Sequence, residues 1–297
     1  MKITVIGCGS IGKIFLAALH LRGHEVQGWL KLSSQTNLVV NIKKPKGDFF
    51  YKIITCNNIK HLINSKLLIV CLKAWQISNV LLPVLDFIPK TTLILLLHNG
   101  MGVIEKLGQL NNPFLSGITT NSAWQKNNIV FHTNNGVTHI GPINRISKSF
   151  KFIADILNDA IPNVVWSDQI INICWYKLAS NCIINPLTVK YNCKNGNLFQ
   201  FSEEIENIII EIYKVMKKIN LDVNKNKLIN YIYDIIKKTS NNYSSMLQDI
   251  RNCKKTEIDY ITGYLINKAK IYHINTPKNN NLYQLVKNLE KINCDYK

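Results

Sequence analysis

Six residues near the start of the chain, Gly7-Cys8-Gly9-Ser10-Ile11-Gly12, carry the spacing G-x-G-x-x-G. The first glycine permits a tight turn, the second lets backbone approach a pyrophosphate, and the third allows close helix–strand packing. Amide groups at the start of the following helix attract a phosphate anion. The hexapeptide follows the β-branched run Ile3–Ile6 and opens a helical segment. That context predicts dinucleotide binding rather than a bare glycine turn. The end of the second strand separates the dinucleotides, because an NAD site places Asp or Glu there to accept from the adenine ribose hydroxyls. Here the chain reads Val26-Gln27-Gly28-Trp29-Leu30-Lys31, with no acid before Asp48. The missing acid predicts NADP, and Lys31 suits its extra 2′-phosphate, though Lys31 is also one of many lysines.

A second constellation lies far along the chain. Lys177, Asn181 and Asn185 are spaced by four, so on a helix they share a face. Trp175, Leu178, Ile183, Ile184 and Leu187 surround them. Such a face admits two readings: a site turned to a cleft between domains, or an exposed polar stripe on an amphipathic helix. Lys73 follows the apolar run Leu67–Leu72, and His98-Asn99-Gly100 follows Leu93–Leu97. Both fall at strand C-terminal ends, where open α/β sheets bind ligands. Asn99 offers a donor and an acceptor to a nicotinamide ribose or substrate, or else supports a turn with Gly100. Ser245 could hold a carboxylate; Glu257 could pair with a lysine or ribose hydroxyl. Taken alone, Thr256-Glu257 reads more simply as a helix cap and first turn.

These residues need elements to position them. Ile3–Ile6, Glu25–Leu30, Leu67–Leu72 and Leu93–Leu97 read as strands, the last two as strands covered on both faces. Gly12–Leu21 reads as a helix ending at Arg22-Gly23. The alternation predicts a parallel sheet with crossover helices, closed by a strand and turn over Thr133–Gly141. After Ile161-Pro162-Asn163 helical patterns dominate: Gln169–Tyr191, Glu203–Ile219, Lys227–Lys238, Glu257–Ile271 and Leu282–Ile292. The fold class expected is α/β, a Rossmann-type dinucleotide-binding domain over 1–167 followed by an all-helical domain over 168–297.

Composition narrows the function classes. The 297 residues are 46% hydrophobic and 18% charged, which suits two globular domains and leaves little room for long disorder. The longest apolar runs fall far short of the ~20 residues that cross a bilayer. Met1-Lys2 leads straight into a strand-like segment without a signal-peptide pattern. The formal charge of +18 is spread evenly; residues 1–120 hold thirteen Lys/Arg against four Asp/Glu, half of the excess. Lys43, Lys44 and Lys46 form the densest cluster near the N-terminus, and no long basic block marks a nucleic-acid footprint. Eight scattered cysteines without a C-x-x-C pair fit neither zinc nor a disulfide scaffold. A reduced, cytoplasmic protein without metal, nucleic-acid or membrane partners is expected.

Over nearly its whole length the chain resembles the ketopantoate reductase (2-dehydropantoate 2-reductase) family. The matching stretches are MKITVIGCGSIG, GHEVQGWLK, LKAWQ, HNGMG, GVTHIGP, WYKLASNCIINPLT, NCKNG and SSMLQDI followed by TEIDYITG. The resemblance implies reduction of 2-dehydropantoate to (R)-pantoate with NADPH, on the route to pantothenate and coenzyme A. It makes Lys177 the proton donor and Asn181, Asn185, Asn195 and Ser245 substrate-binding residues. Gly7 to Gly12, Lys73, Asn99 and Ala123 become cofactor contacts, with Asn99 also touching substrate. Glu257 becomes an acid near cofactor and catalytic centre. Lys31 stands where an arginine commonly binds the 2′-phosphate; the charge is kept and the planar fork lost. A monomer or weak homodimer is expected. The rival reading is a related NADP-dependent oxoacid or hydroxyacid dehydrogenase of the same architecture.

Overall fold

The computed structural model describes residues 1–31, 34–45, 47–109 and 111–295. Lys46 of the expected basic cluster and the side chain of Cys294 lie outside the described part. Two compact units divide the chain. One is Met1–His98 with Ile104–Ile171, the other Asn99–Val103 with Asn172–Lys297.

In the first unit the elements run β1 (Lys2–Ile6), α1 (Ser10–Leu21), β2 (Glu25–Trp29), β3 (Asn37–Lys43), β4 (Phe49–Thr55), α2 (Ile59–Ile63), β5 (Leu67–Val70), α3 (Ala74–Leu85) and β6 (Leu93–Leu97). They continue with α4 (Val103–Leu107), β7 (Phe114–Thr119), β8 (Ser122–Lys126), β9 (Ile129–Asn134), β10 (Thr138–Pro142), α5 (Ile153–Ala160) and β11 (Val164–Trp166). The main sheet has the order β11-β10-β7-β6-β5-β1-β2. From β7 through β2 every neighbouring pair is parallel; β10 meets β7 antiparallel. The strands Leu67–Val70 and Leu93–Leu97 are buried along their whole length, which is why they read as unbroken apolar runs. The strand order reverses between β1 and β5, the switch point at which such sheets bind ligands.

In this unit two features depart from the sequence expectation. Thr133–Gly141 is not one strand and turn: β9 belongs to a separate four-stranded sheet, order β4-β3-β9-β8, and β10 to the main sheet. The hairpin of β3 and β4 supplies half of that small sheet and was not anticipated. Its β4 exposes Phe49, Tyr51 and Ile53, so no clean apolar–polar alternation marks it as a strand.

In the second unit, α6 (Ile170–Tyr191), α7 (Ser202–Lys218), α8 (Lys225–Lys238), α9 (Ser245–Arg251), α10 (Thr262–Ile271) and α11 (Pro277–Asp295) pack around one core. Helix α6 is its centre, with Trp175, Leu178, Ala179, Cys182, Ile183 and Leu187 buried. Glu211 on α7 is buried and caps α11 by accepting from the Lys278 and Asn279 amides at 2.9 and 3.1 Å. The expected helix Glu257–Ile271 is broken: a short 3-10 turn, Ile258–Tyr260, precedes α10, and Ile261 between them lies off helical geometry. The reason is a second segment using the break. Met101 N–H donates to the Tyr260 carbonyl at 2.8 Å, so that oxygen serves Asn99–Val103 rather than continuing a helix.

Candidate active site

In the first unit the glycine loop joins β1 to α1, with Gly9 in the N-cap position and no side chain capping the helix. The first amides of α1 have no intrahelical acceptor and face outward from the helix end. A Cβ on Gly12 would lie 2.1 Å from the Gly7 carbonyl oxygen, whereas one on Gly9 would meet nothing within 4 Å. The third glycine is therefore required by packing. The second leaves open space above a helix N-terminus, and that space fits the pyrophosphate of a dinucleotide. Cys8 packs inside the loop and burial pushes its thiol up to about 12, so it stays a neutral thiol. Across the switch point, the Cys71 amide donates to the Ile6 carbonyl at 2.7 Å, and Lys73 forms the N-cap of α3. Lys31 is exposed just beyond β2, and Ala123 lies in β8 of the small sheet. A cavity of ≈ 360 Å³ in this unit, lined by Ile14, Phe50, Asn121 and His132 among others, contains none of the expected site residues.

In the second unit, Lys177, Asn181 and Asn185 stand on one face of α6. Asn181 and Asn185 are 8% and 6% exposed, which excludes a solvated stripe. Among the described residues neither side-chain amide has a hydrogen-bond partner, and none is found for the Lys177 ammonium. Desolvation by burial lowers the Lys177 pKa. Ser244 is the buried N-cap of α9, accepting from Leu247 N–H at 3.1 Å, and its Oγ lies 2.7 Å from Thr188 Oγ1 on α6. This tie holds the exposed Ser245, the first residue of α9, beside α6. Asn195 is buried at the start of the 3-10 turn Asn195–Phe201.

Glu257 and Asn99, 158 positions apart, are brought together: Asn99 Nδ2 donates to Glu257 Oε2 at 3.3 Å. Glu257 is 4% exposed and precedes the 3-10 turn. The cap expected of Thr256 is present in altered form. Its Oγ1 accepts from Ile258 N–H at 3.1 Å and donates to Glu290 Oε1 at 2.6 Å, while its own amide donates to the same oxygen at 2.7 Å. Glu290 on α11 thus anchors the segment that presents Glu257, and Lys287 pairs with it at 3.0 Å. The sequence carried no sign of this role, since Glu290 sits in an ordinary amphipathic pattern 34 residues from its partner.

A parallel sheet with a glycine loop at its switch point, joined to a helical unit bearing a desolvated lysine among buried amides, defines a nicotinamide-dinucleotide oxidoreductase. Family profiles sharpen the class. Residues 3–145 match the family described as "Ketopantoate reductase PanE/ApbA", and residues 169–290 match "Ketopantoate reductase PanE/ApbA C terminal". The chain belongs to the ketopantoate reductase family. It is 43% identical over 290 residues to the 2-dehydropantoate 2-reductase of Yersinia pestis, covering 98% of this chain and 95% of that one. Among solved structures it is similar to a D-mandelate dehydrogenase in ternary complex with NADH and anilino(oxo)acetate, with TM-score 0.88, 25% identity and 99% of each chain covered. A dimeric ketopantoate reductase from Staphylococcus aureus shares the fold, with TM-score 0.83, 19% identity and 99% and 100% of the two chains covered.

Proposed function

We propose that this chain reduces the C2 carbonyl of 2-dehydropantoate with NADPH, giving (R)-pantoate for pantothenate and coenzyme A synthesis. The observation that carries the reading is the 43% identity to the Yersinia pestis enzyme over 290 residues, a match that spans both units. The residues present suit it. The glycine loop and the amides of α1 hold the pyrophosphate; Lys31 meets the 2′-phosphate, and no acid at the end of β2 opposes it. Lys73, Asn99 and Ala123 complete the cofactor contacts. NADPH, when bound, supplies the hydride.

Lys177 is the general acid. Its ammonium stabilises negative charge growing on the carbonyl oxygen and delivers the proton there. Burial makes it a stronger acid than an ordinary lysine, which favours that transfer near neutral pH. Asn181, Asn185, Asn195 and Ser245 orient the substrate, a positioning contribution. Glu257 accepts from Asn99 and holds that amide in one orientation. The protein works in the cytoplasm as a monomer or weak homodimer on a small-molecule substrate, without nucleic acid.

The test is a steady-state assay of purified protein with 2-dehydropantoate, following loss of reduced nicotinamide with NADPH and with NADH. Oxidation of NADPH that depends on 2-dehydropantoate is expected. Turnover with another 2-oxoacid and none with 2-dehydropantoate would move the chain to a sister dehydrogenase activity.

A further inference from the structure

We propose that Thr239 is a positioning residue that fixes the Asn195 side-chain amide with its oxygen turned to the substrate, so that Asn195 accepts from the substrate's hydroxyl group. The proposal rests on the reading of this chain as a ketopantoate reductase and stands on three observations in the second unit.

First, the backbone of Asn195 is clamped. Its N–H donates to the Asn242 carbonyl at 2.9 Å and the Gly196 N–H to the Ser240 carbonyl at 3.0 Å. A Cβ on Gly196 would meet the Ser240 Cβ at 2.7 Å, so the two segments lie in tight contact. Second, Thr239, the C-cap of α8, donates its hydroxyl to the Ile235 carbonyl at 2.7 Å. A hydroxyl has one hydrogen. With that hydrogen committed, Thr239 Oγ1 can only accept from Asn195, which it meets at 2.9 Å. The amide end facing Thr239 must therefore be Nδ2, whichever way an isolated asparagine would turn. Third, Asn195 Oδ1, directed away from Thr239, is buried with no partner among the described residues, in a residue only 6% exposed. A buried acceptor without a donor is costly and rare in folded proteins.

The chemistry of the substrate names the missing donor. 2-Dehydropantoate carries a carboxylate, a ketone and a terminal hydroxyl, and of these only the hydroxyl has a hydrogen to give. Had the amide been reversed, its Nδ2 could only donate, and the carboxylate, the ketone and the hydroxyl oxygen could each accept from it, so the hydroxyl would not be singled out. Thr239 thereby makes the site selective for a hydroxylated branched oxoacid over the same skeleton without the hydroxyl, 3,3-dimethyl-2-oxobutanoate. Sites built to hydrogen-bond a hydroxyl reject analogues lacking it far more strongly than apolar pockets discriminate by size.

The experiment compares kcat/KM for 2-dehydropantoate and for 3,3-dimethyl-2-oxobutanoate, with NADPH, in the unmodified chain and in Thr239→Val, Thr239→Ser and Asn195→Ala. Valine keeps the shape of threonine and removes the hydroxyl, leaving the amide without its fixed acceptor. The ratio of the two kcat/KM values is expected to fall roughly tenfold or more in Thr239→Val, mainly through KM for 2-dehydropantoate, and to be retained in Thr239→Ser. A purely structural role would lower both substrates in parallel and leave the ratio unmoved; that result would overturn the proposal. A rise in KM for NADPH at constant ratio would assign the oxygen to a cofactor hydroxyl and overturn it equally. Should the unmodified chain reduce neither substrate, the enzymatic reading itself fails. Should it reduce 2-dehydropantoate while Asn195→Ala keeps the ratio, only the present inference falls.

Discussion

Replacing Gly100 with alanine tests the joint between Asn99–Val103 and the turn that carries Glu257. Gly100 has φ +79°, and a Cβ there would lie 2.4 Å from the Tyr260 carbonyl oxygen and 2.8 Å from its carbon. That carbonyl cannot yield without loss, because it accepts from Met101 N–H at 2.8 Å. Alanine at such a φ costs roughly 1–2 kcal/mol. Losing the hydrogen bond costs roughly 0.5–1.5 kcal/mol, and residual overlap adds roughly 1–3 kcal/mol. The stiffer unfolded chain returns roughly 0.4–1 kcal/mol. The net spans about 1.5–6 kcal/mol with its middle near 4, which at roughly 2.1 cal/mol/K of unfolding entropy per residue lowers Tm of the 297-residue chain by roughly 6 °C.

A control separates strain from contact. Gly108 has φ +73° and nothing within 4 Å of a Cβ, so Gly108→Ala should show the strain alone, about 1 kcal/mol. Thermal unfolding of both variants by circular dichroism measures the difference. The same displacement would move Asn99 off Glu257, now 3.3 Å away, and kcat/KM should fall by roughly ten- to a hundredfold in Gly100→Ala only. Equal Tm losses in the two variants would refute the close-approach argument. A large Tm loss with unchanged kcat/KM would refute the link from Gly100 to the Asn99–Glu257 pair.

Five further outcomes follow from three residues. Lys177→Ala should lower kcat by roughly 10²–10⁴-fold while leaving the NADPH Kd from fluorescence titration nearly unchanged. Because burial lowers the Lys177 pKa and the protonated form is the acid, activity should be lost on the alkaline side at a lower pH than the ~10.4 of an ordinary lysine; a pH profile of kcat/KM with no such limb would remove Lys177 from the role. The unfolded chain binds that proton more tightly, so the lysine opposes folding at neutral pH and Lys177→Met should raise stability in denaturant titration. Lys31→Glu should shift the NADPH-to-NADH ratio of kcat/KM toward NADH by roughly a hundredfold, through one lost charged hydrogen bond and a new repulsion. In Gly9→Ala the added methyl meets open space, so stability should hold within about 0.5 kcal/mol while the NADPH Kd rises.

The parts of this molecule that were legible in the sequence are those whose information is local. The loop Gly7 to Gly12 is recognisable because strand, turn and helix all lie within twenty residues and each glycine answers a short-range constraint. The runs Leu67–Val70 and Leu93–Leu97 are legible because burial on both faces leaves no polar residue in them. The face of Lys177, Asn181 and Asn185 follows from helical period alone, but whether it was solvated did not. That depended on α6 being surrounded by other helices, which makes its remaining sides apolar as well. The strands β8 and β9 were missed for the opposite reason. Thr133–Gly141 carries one plausible strand pattern, and the departure of β10 to the main sheet is decided by partners at Thr119 and Val164.

The break at Ile261 shows the limit most directly. Thr256 to Ile271 has the apolar spacing of a helix and a capping threonine at its start, so local preference argues for continuity. The structure spends that preference on two distant contacts: Tyr260 gives its carbonyl to Met101, and Thr256 gives both its hydrogens to Glu290. Each contact joins segments that a period or a cap cannot connect. Together they place Glu257 against Asn99 with its backbone already committed on both sides. A continuous helix would satisfy its own amides and leave Met101 N–H without the Tyr260 oxygen. Its loss at this point is therefore the condition for presenting the carboxylate, and a variant that restored helical hydrogen bonding through Ile261 would gain local helix at the expense of the Asn99–Glu257 pair.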